Sequence, residues 1–215
     1  MSVGANLAAV RERIERAGRN PGEVDIVAVT KGFGPEVCRE ALHAGLRLFG
    51  ENRVQEGIAK MPKVGEAEWH LIGHLQTNKV AAAVAHFAMI QTVDSVRLAE
   101  AIAAADDEIP VLVEVNVARE PQKTGVDPAE ATELIEQVGR LLNLQGLMAM
   151  GPSEGDPTHA FKELRHLRDD AQERLGKRLP ILSMGMSADF EAAVRAGSTM
   201  VRLGQALFGP RPAQQ

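Results

Sequence analysis

Lys31 ends the apolar run Val-Asp-Ile-Val-Ala-Val-Thr-Lys at residues 24–31. Side chains alternate along a strand, so Val27, Val29 and Lys31 share one face. A lysine is rarely buried without a partner. Desolvation or a neighbouring cation favours the neutral amine, which then attacks a carbonyl carbon as a Schiff-base nucleophile. A strand-end lysine also snorkels to water with no chemistry attached, and Lys31 alone leaves both readings open. The break Gly32-Phe33-Gly34-Pro35 and an amphipathic helix from near Glu36 follow it. That order puts the amine at the C-terminal edge of a sheet.

Four other places carry candidate chemistry. Ser187, followed by Asp189, reads as a helix N-terminus, where free N–H groups and the helix dipole favour an anion. Gly204 offers close backbone approach, and Arg202 shares its strand face with Met200 and Gly204. An unpaired guanidinium in so apolar a strand is costly. Arg202 therefore pairs with an acid inside the fold or faces a polar ligand atom. His70 and His74 share a strand face but lie roughly 13 Å apart, too far for one metal ion. His74 falls at a strand end beside the site, and His70 in the core. Glu51 and Glu56 read as loop and helix-face acids, and Cys38 as helix packing.

The elements that position these residues repeat. A helix over 3–17 carries Val3, Leu7, Val10 and Ile14 at helical spacing. Eight strand–helix units follow. Strands are expected at 24–30, 46–50, 69–73, 88–93, 110–117, 144–150, 181–184 and 200–203. The helices between them fall at 35–43, 52–61, 76–85, 95–105, 128–142, 156–175 and 188–196. Asp127 before Pro128 is a cap and first-turn signal. Near-continuous apolar strands alternating with amphipathic helices imply a parallel sheet covered by helices. Eight units imply a closed α/β barrel of the (β/α)8 TIM type with an extra N-terminal helix. No Gly-x-Gly-x-x-Gly follows the first strand, which argues against an open dinucleotide-binding sheet. No linker or low-complexity tract divides residues 1–215, so one domain is expected.

The totals narrow the function classes. With 24 basic and 29 acidic residues the net charge is −5, which offers no attraction to nucleic acid. No apolar stretch reaches the roughly 20 residues that span a bilayer. The single Cys38 excludes an internal disulfide and suits a reducing compartment, so a cytoplasmic monomer is expected. The chain contains no tyrosine.

In barrels of this type the chemistry sits at the strand C-terminal ends, with a phosphate often bound after strands seven and eight. Lys31, Glu51-Asn52, His74, Ser187, Arg202 and Gly204 all fall there. An amine, a phosphate cup and an arginine around one mouth suit an aldehyde that carries a phosphate and a ring nitrogen. Pyridoxal 5′-phosphate (PLP) is such a ligand.

Several blocks carry a resemblance. They are Val27-Ala28-Val29-Thr30-Lys31, Phe49-Gly50-Glu51-Asn52-Arg53-Val54-Gln55-Glu56, Trp69-His70-Leu71-Ile72-Gly73-His74-Leu75-Gln76-Thr77-Asn78-Lys79, Gly146-Leu147-Met148-Ala149-Met150, Leu182-Ser183-Met184-Gly185-Met186-Ser187 and Ala196 through Gly204. In order and over nearly the whole chain, they resemble the pyridoxal phosphate homeostasis protein family. The resemblance implies a barrel like the N-terminal domain of alanine racemase. It implies that Lys31 holds PLP as an internal aldimine, Ser187 and Gly204 hold its phosphate, Arg202 faces its pyridine nitrogen, and Asn52 lies near the cofactor. Many members have Ser-Lys-Thr where this chain has Thr30-Lys31-Gly32. The loop 119–125 resembles a family loop over the cofactor, and a solvated charged loop is the other reading.

A PLP enzyme uses the ring as an electron sink, best with the pyridine nitrogen protonated by a carboxylate. An arginine opposite that nitrogen disfavours the proton. Racemisation also needs acid–base groups on both faces of the substrate carbon, and Lys31 supplies one. The expectation is a non-catalytic PLP carrier in vitamin B6 homeostasis, with apo-PLP enzymes as clients. The alternatives are a racemase-like PLP enzyme and a class I Schiff-base aldolase using Lys31 on a sugar phosphate.

Overall fold

A computed structural model describes residues 2–210; Met1 and residues 211–215, the two ends of the expected domain, lie outside the described residues. Eight parallel strands close into a barrel in sequence order. They are β1 (Asp25–Val29), β2 (Leu48–Glu51), β3 (Glu68–Leu71), β4 (Met89–Val93), β5 (Pro110–Glu114), β6 (Asn143–Ala149), β7 (Ile181–Met184) and β8 (Met200–Leu203). Closure joins β8 to β1, so that Val27 is level with both Leu48 and Arg202.

Period-two alternation sorts the side chains. Val24, Ile26 and Ala28 join the main core between sheet and helices. Met89, Leu112 and Met148, with Ile181 against them, form a separate small cluster inside the barrel. The covering helices are α1 (Val3–Arg16), α2 (Pro35–His43), α3 (Val54–Lys60), α4 (Val80–Val84), α5 (Val96–Ala103), α6 (Pro128–Leu141), α7 (Thr158–Leu175), α8 (Phe190–Ala196) and α9 (Gln205–Phe208). Ser2 caps α1, whose expected stripe of Val3, Leu7, Val10 and Ile14 is buried. The Asn6 side chain donates to the Leu207 carbonyl at 2.7 Å, tying α1 to α9. Asp127 caps α6 as its sequence suggests, accepting the Ala129 N–H at 2.9 Å.

Most elements shift by one to four residues at an end, as the third strand (Glu68–Leu71, expected at 69–73) and the helix after it (Val80–Val84, expected at 76–85) do. For two of the shifts the bonds give the reason. The fifth strand stops at Glu114 rather than 117, because the returning segment at Val126 bonds to Glu114 and Asn116. Helix α8 starts at Phe190 rather than 188, because Asp189 takes the Met186 N–H and turns the chain first.

Candidate functional site

Lys31 stands two residues beyond β1, in a turn closed by the Phe33 N–H on the Thr30 carbonyl at 3.0 Å. Gly32 occupies the third position with φ 77°, a conformation glycine enters without Cβ strain. The Thr-Lys-Gly sequence thus suits a tight turn that presents the half-buried Lys31. Phe33 packs on Phe208 with ring centroids 5.2 Å apart, which fixes this turn to the segment after β8.

Beneath the turn lies a network that the sequence reading missed. Glu51 is fully buried, not a loop acid. It accepts the Thr30 hydroxyl at 2.6 Å and pairs with the buried Lys60 ammonium. Lys60 also donates to the Thr30 carbonyl at 2.9 Å. Glu56 accepts the Gly32 N–H at 3.0 Å. Burial pushes the Glu51 carboxyl up, against the pull of Lys60 and Thr30.

Asn52 follows β2 directly, and its backbone is reached only because residue 73 is glycine. A Cβ there would fall 2.3 Å from the Asn52 carbonyl oxygen. The Asn52 Oδ1 is buried and has no hydrogen-bond partner among the described residues. A buried carbonyl oxygen left so needs a donor.

Arg202 resolves neither of its two sequence alternatives simply. Its Nη1 donates to the Ser183 carbonyl at 2.6 Å and to Ser183 Oγ at 2.8 Å, and its Nη2 to the Ala149 carbonyl at 2.8 Å. The nearest acids, Glu114 and Asp189, act on it only through their charge. Burial pulls the guanidinium down to about 10, so it stays charged at neutral pH. Glu114 is itself buried, accepting the Thr124 hydroxyl at 2.7 Å, and burial pushes its carboxyl up.

Ser187 lies in the turn before α8, not at its N-cap. Its Oγ accepts the Ala206 N–H at 3.0 Å, so its own proton remains to be donated. Gly204 carries no side chain where a Cβ would meet the Val29 carbonyl at 3.4 Å.

Lys31, Asn52, Ser187, Arg202 and Gly204 all line one cleft of about 290 Å3 at the C-terminal mouth. Val29, Ile72, Met148, Met150 and Met186 supply its apolar walls. A larger concavity of about 610 Å3 between α7 and the start of β7 is edged by Arg168, Glu173, Lys177 and Arg178. It lies at the opposite end and receives no strand C-terminus.

Other candidates fall elsewhere. His74 faces Asp94 at 3.2 Å and edges a separate groove with Gln76 and Arg97. His70 is buried between Gln91 and Glu68. Among the described residues no group of three His, Cys, Asp or Glu could hold a metal. Cys38 is buried, and burial pushes its thiol up to about 11, which makes it a packing residue. The loop 119–125 binds the segment after β6, through Glu120 to Ser153 at 2.6 Å and Lys123 to the Gly151 carbonyl at 2.6 Å. It does not line the Lys31 cleft.

The alanine racemase N-terminal domain family matches residues 5–212. A pyridoxal phosphate homeostasis protein of Aquifex aeolicus is 42% identical over 98% of this chain and 99% of its own. The chain belongs to the pyridoxal phosphate homeostasis protein family. An Escherichia coli K12 protein of that description is 40% identical over 97% of both chains. Among solved structures, PipY of Synechococcus elongatus PCC7942, with PLP bound, is 35% identical with a TM-score of 0.84. That match covers 96% of this chain and 100% of PipY.

Proposed function

We propose that this chain binds PLP in the Lys31 cleft and acts as a carrier that keeps the free aldehyde low in vitamin B6 homeostasis. The observation that carries this is the convergence of five residues from four strand ends on one cleft: Lys31, Asn52, Ser187, Arg202 and Gly204. The residues fit the group. A primary amine, a hydroxyl with its proton to give, a charged guanidinium and an orphaned amide oxygen match an aldehyde, a phosphate, a ring nitrogen and a ring hydroxyl. Bound there, PLP supplies an aldehyde that condenses reversibly with a primary amine, with loss of water.

Each residue has a role in holding it. Lys31 supplies the amine from a turn pinned on both sides. Ser187 donates to the phosphate, and the bare Gly204 backbone leaves room for it. Arg202 faces the ring nitrogen and opposes its protonation, since two positive charges would meet. That weakens the electron sink on which amino-acid chemistry depends. No tyrosine exists in the chain to serve as a second acid–base group. Binding without turnover follows.

The same reading takes the carrier as a soluble monomer of the cytoplasm with apo-PLP enzymes as clients. No helix among the described residues is long and apolar enough to cross a membrane. The exposed large hydrophobics Val96, Leu141 and Met186 lie on separate segments and make no broad apolar patch.

The test is the absorption spectrum of the protein after PLP addition, before and after borohydride reduction, with peptide mapping. A visible band that moves on reduction, with the pyridoxyl group on Lys31, is expected, together with no amino-acid racemisation or transamination. Lys31-dependent turnover would replace the carrier with an enzyme. A colourless protein that instead traps a sugar phosphate on Lys31 would make it an aldolase.

A further inference from the structure

The centre of a closed barrel is ordinarily filled by branched apolar side chains stacked in layers. Here His70, Gln91, Ser183 and Arg202 lie inside, between 0% and 4% exposed. A buried polar atom left without a partner costs about 1–3 kcal/mol. Among these four residues no buried nitrogen or oxygen is left so.

The bonds form a single line. Arg202 Nη1 donates to Ser183 Oγ at 2.8 Å, and that hydroxyl donates to Gln91 Oε1 at 2.7 Å. Gln91 Nε2 faces His70 Nδ1 at 2.8 Å, and it also donates to Met200 Sδ at 3.2 Å. An amide NH2 only donates, so His70 Nδ1 accepts and the imidazole proton sits on Nε2. From there it is donated to Glu68 at 3.1 Å. Every link therefore points the same way, from a guanidinium at the mouth to a half-exposed carboxylate at the start of β3. Consecutive bonds of one polarity strengthen one another. The guanidinium is planar, so three of its five N–H groups fixed on Ser183 and Ala149 settle the plane of the other two.

We infer that Ser183, Gln91, His70 and Glu68 are positioning residues that orient Arg202 and thereby keep the cofactor's ring nitrogen unprotonated. This rests on the reading of Arg202 as the group that faces that nitrogen. A polar line through a barrel core is otherwise a costly way to fill space that leucine fills well. Its only branch toward the cleft is Arg202.

The test uses the full chain loaded with PLP carrying 15N in the ring. Ser183→Ala and Gln91→Leu should move the ring resonance toward the protonated form and release PLP about tenfold faster. Ser183→Thr keeps the hydroxyl and should keep the wild-type resonance. Glu68→Ala, at a half-exposed position, should move it in the same direction by less. A lower thermal midpoint with an unmoved resonance in both core variants would reduce the line to core packing and overturn the inference. Should the core variants fail to fold, an unmoved resonance in Glu68→Ala overturns it equally. A wild-type protein that takes no PLP on Lys31 would remove the parent reading, and this inference with it.

Discussion

Lys60 Nζ reaches the Thr30 carbonyl oxygen at 2.9 Å, from the last residue of α3 to the residue just before Lys31. On the other side, Glu56 holds the Gly32 N–H at 3.0 Å. The peptide groups flanking Lys31 are thus gripped by side chains one helical turn apart on α3. Lys31 is held through the peptide groups on either side of it, and its side chain lines the cleft.

Breaking that grip from below should unfold, and breaking it from above should only loosen. Lys60→Met removes the cationic partner of the buried Glu51 carboxyl, and breaking a buried pair from one side costs about 3–5 kcal/mol. The double variant Lys60→Met with Glu51→Leu should recover most of it, as urea unfolding would measure. Glu56→Ala removes the bond to the Gly32 N–H and a looser ion pair to Lys60 at 3.7 Å, both on a partly exposed carboxylate, and should cost about 1–2 kcal/mol. It should still slow PLP uptake on Lys31 by about tenfold, because a misplaced reacting group is costly. Uptake at the wild-type rate in Glu56→Ala would show that the turn holds itself.

Gly73→Ala should act at a distance on Asn52. The added methyl would fall 2.3 Å from the Asn52 carbonyl oxygen, which is backbone and cannot rotate away. We expect about 1–3 kcal/mol of destabilisation from overpacking. PLP should bind about tenfold more weakly, since 1.4 kcal/mol lost at the site has that effect. Equilibrium dialysis beside thermal unfolding separates the two effects.

Glu114 gives a pH signature. Burial pushes its carboxyl up, so the folded chain holds this proton more tightly than the unfolded one. Its contribution to stability is fully present below the unfolded pKa and is lost as the pH rises through the raised folded value. Glu114→Gln keeps an oxygen for the Thr124 hydroxyl but no longer titrates. It should match wild type near ~pH 4 and exceed it in stability at neutral pH and above. Equal urea midpoints for the two proteins at both pH values would contradict this.

The seam between α1 and α8 has the opposite sign. Hydrogen bonding to Arg13 holds the Glu191 carboxyl below its usual range. Its stabilisation is present above the ordinary carboxylate pKa and is lost as the pH falls through the depressed value. Each partner is about one third exposed, so the pair is worth no more than about 1 kcal/mol after solvent screening. Arg13 also sits 4.4 Å from the Phe190 ring centroid, a contact that acid does not remove. Arg13→Met should therefore lose about 1 kcal/mol at neutral pH, and the gap should narrow but not close in acid.

The residues at the strand ends were legible because their position follows from counting. Once eight apolar runs are assigned, Lys31, Asn52, Ser187, Arg202 and Gly204 fall at one mouth without any knowledge of contacts. Partners across the barrel were not legible. A lysine and a glutamate in and around an amphipathic helix look solvated, and only the β1–β2 register places Glu51 beside Thr30 and under Lys60. Gln91 and His70 sit on neighbouring strands, and their link to Ser183 on β7 crosses the interior, where period-two alternation names a face but not a partner. Val115 and Val117 read as strand because they are buried, yet only Val115 bonds to β6, through its N–H on the Met148 carbonyl. Glu114 and Asn116 bond to the returning segment at Val126, and the Val117 N–H turns back on the Val115 carbonyl.

The cleft takes Lys31 from beyond the first strand and Arg202 from the last, strands that meet only at the seam where β8 docks on β1. Those pairings span the greatest sequence separation in the sheet, and contacts of that kind are the slowest to form. During synthesis, the amine side of the cleft leaves the ribosome long before the arginine side. A nascent chain thus exposes Lys31 without a pocket, and if the cleft holds PLP as proposed, loading waits until β8 has emerged and the ring has shut. Uptake of the aldehyde becomes a chemical mark of a finished fold, readable on stalled ribosome complexes of increasing chain length.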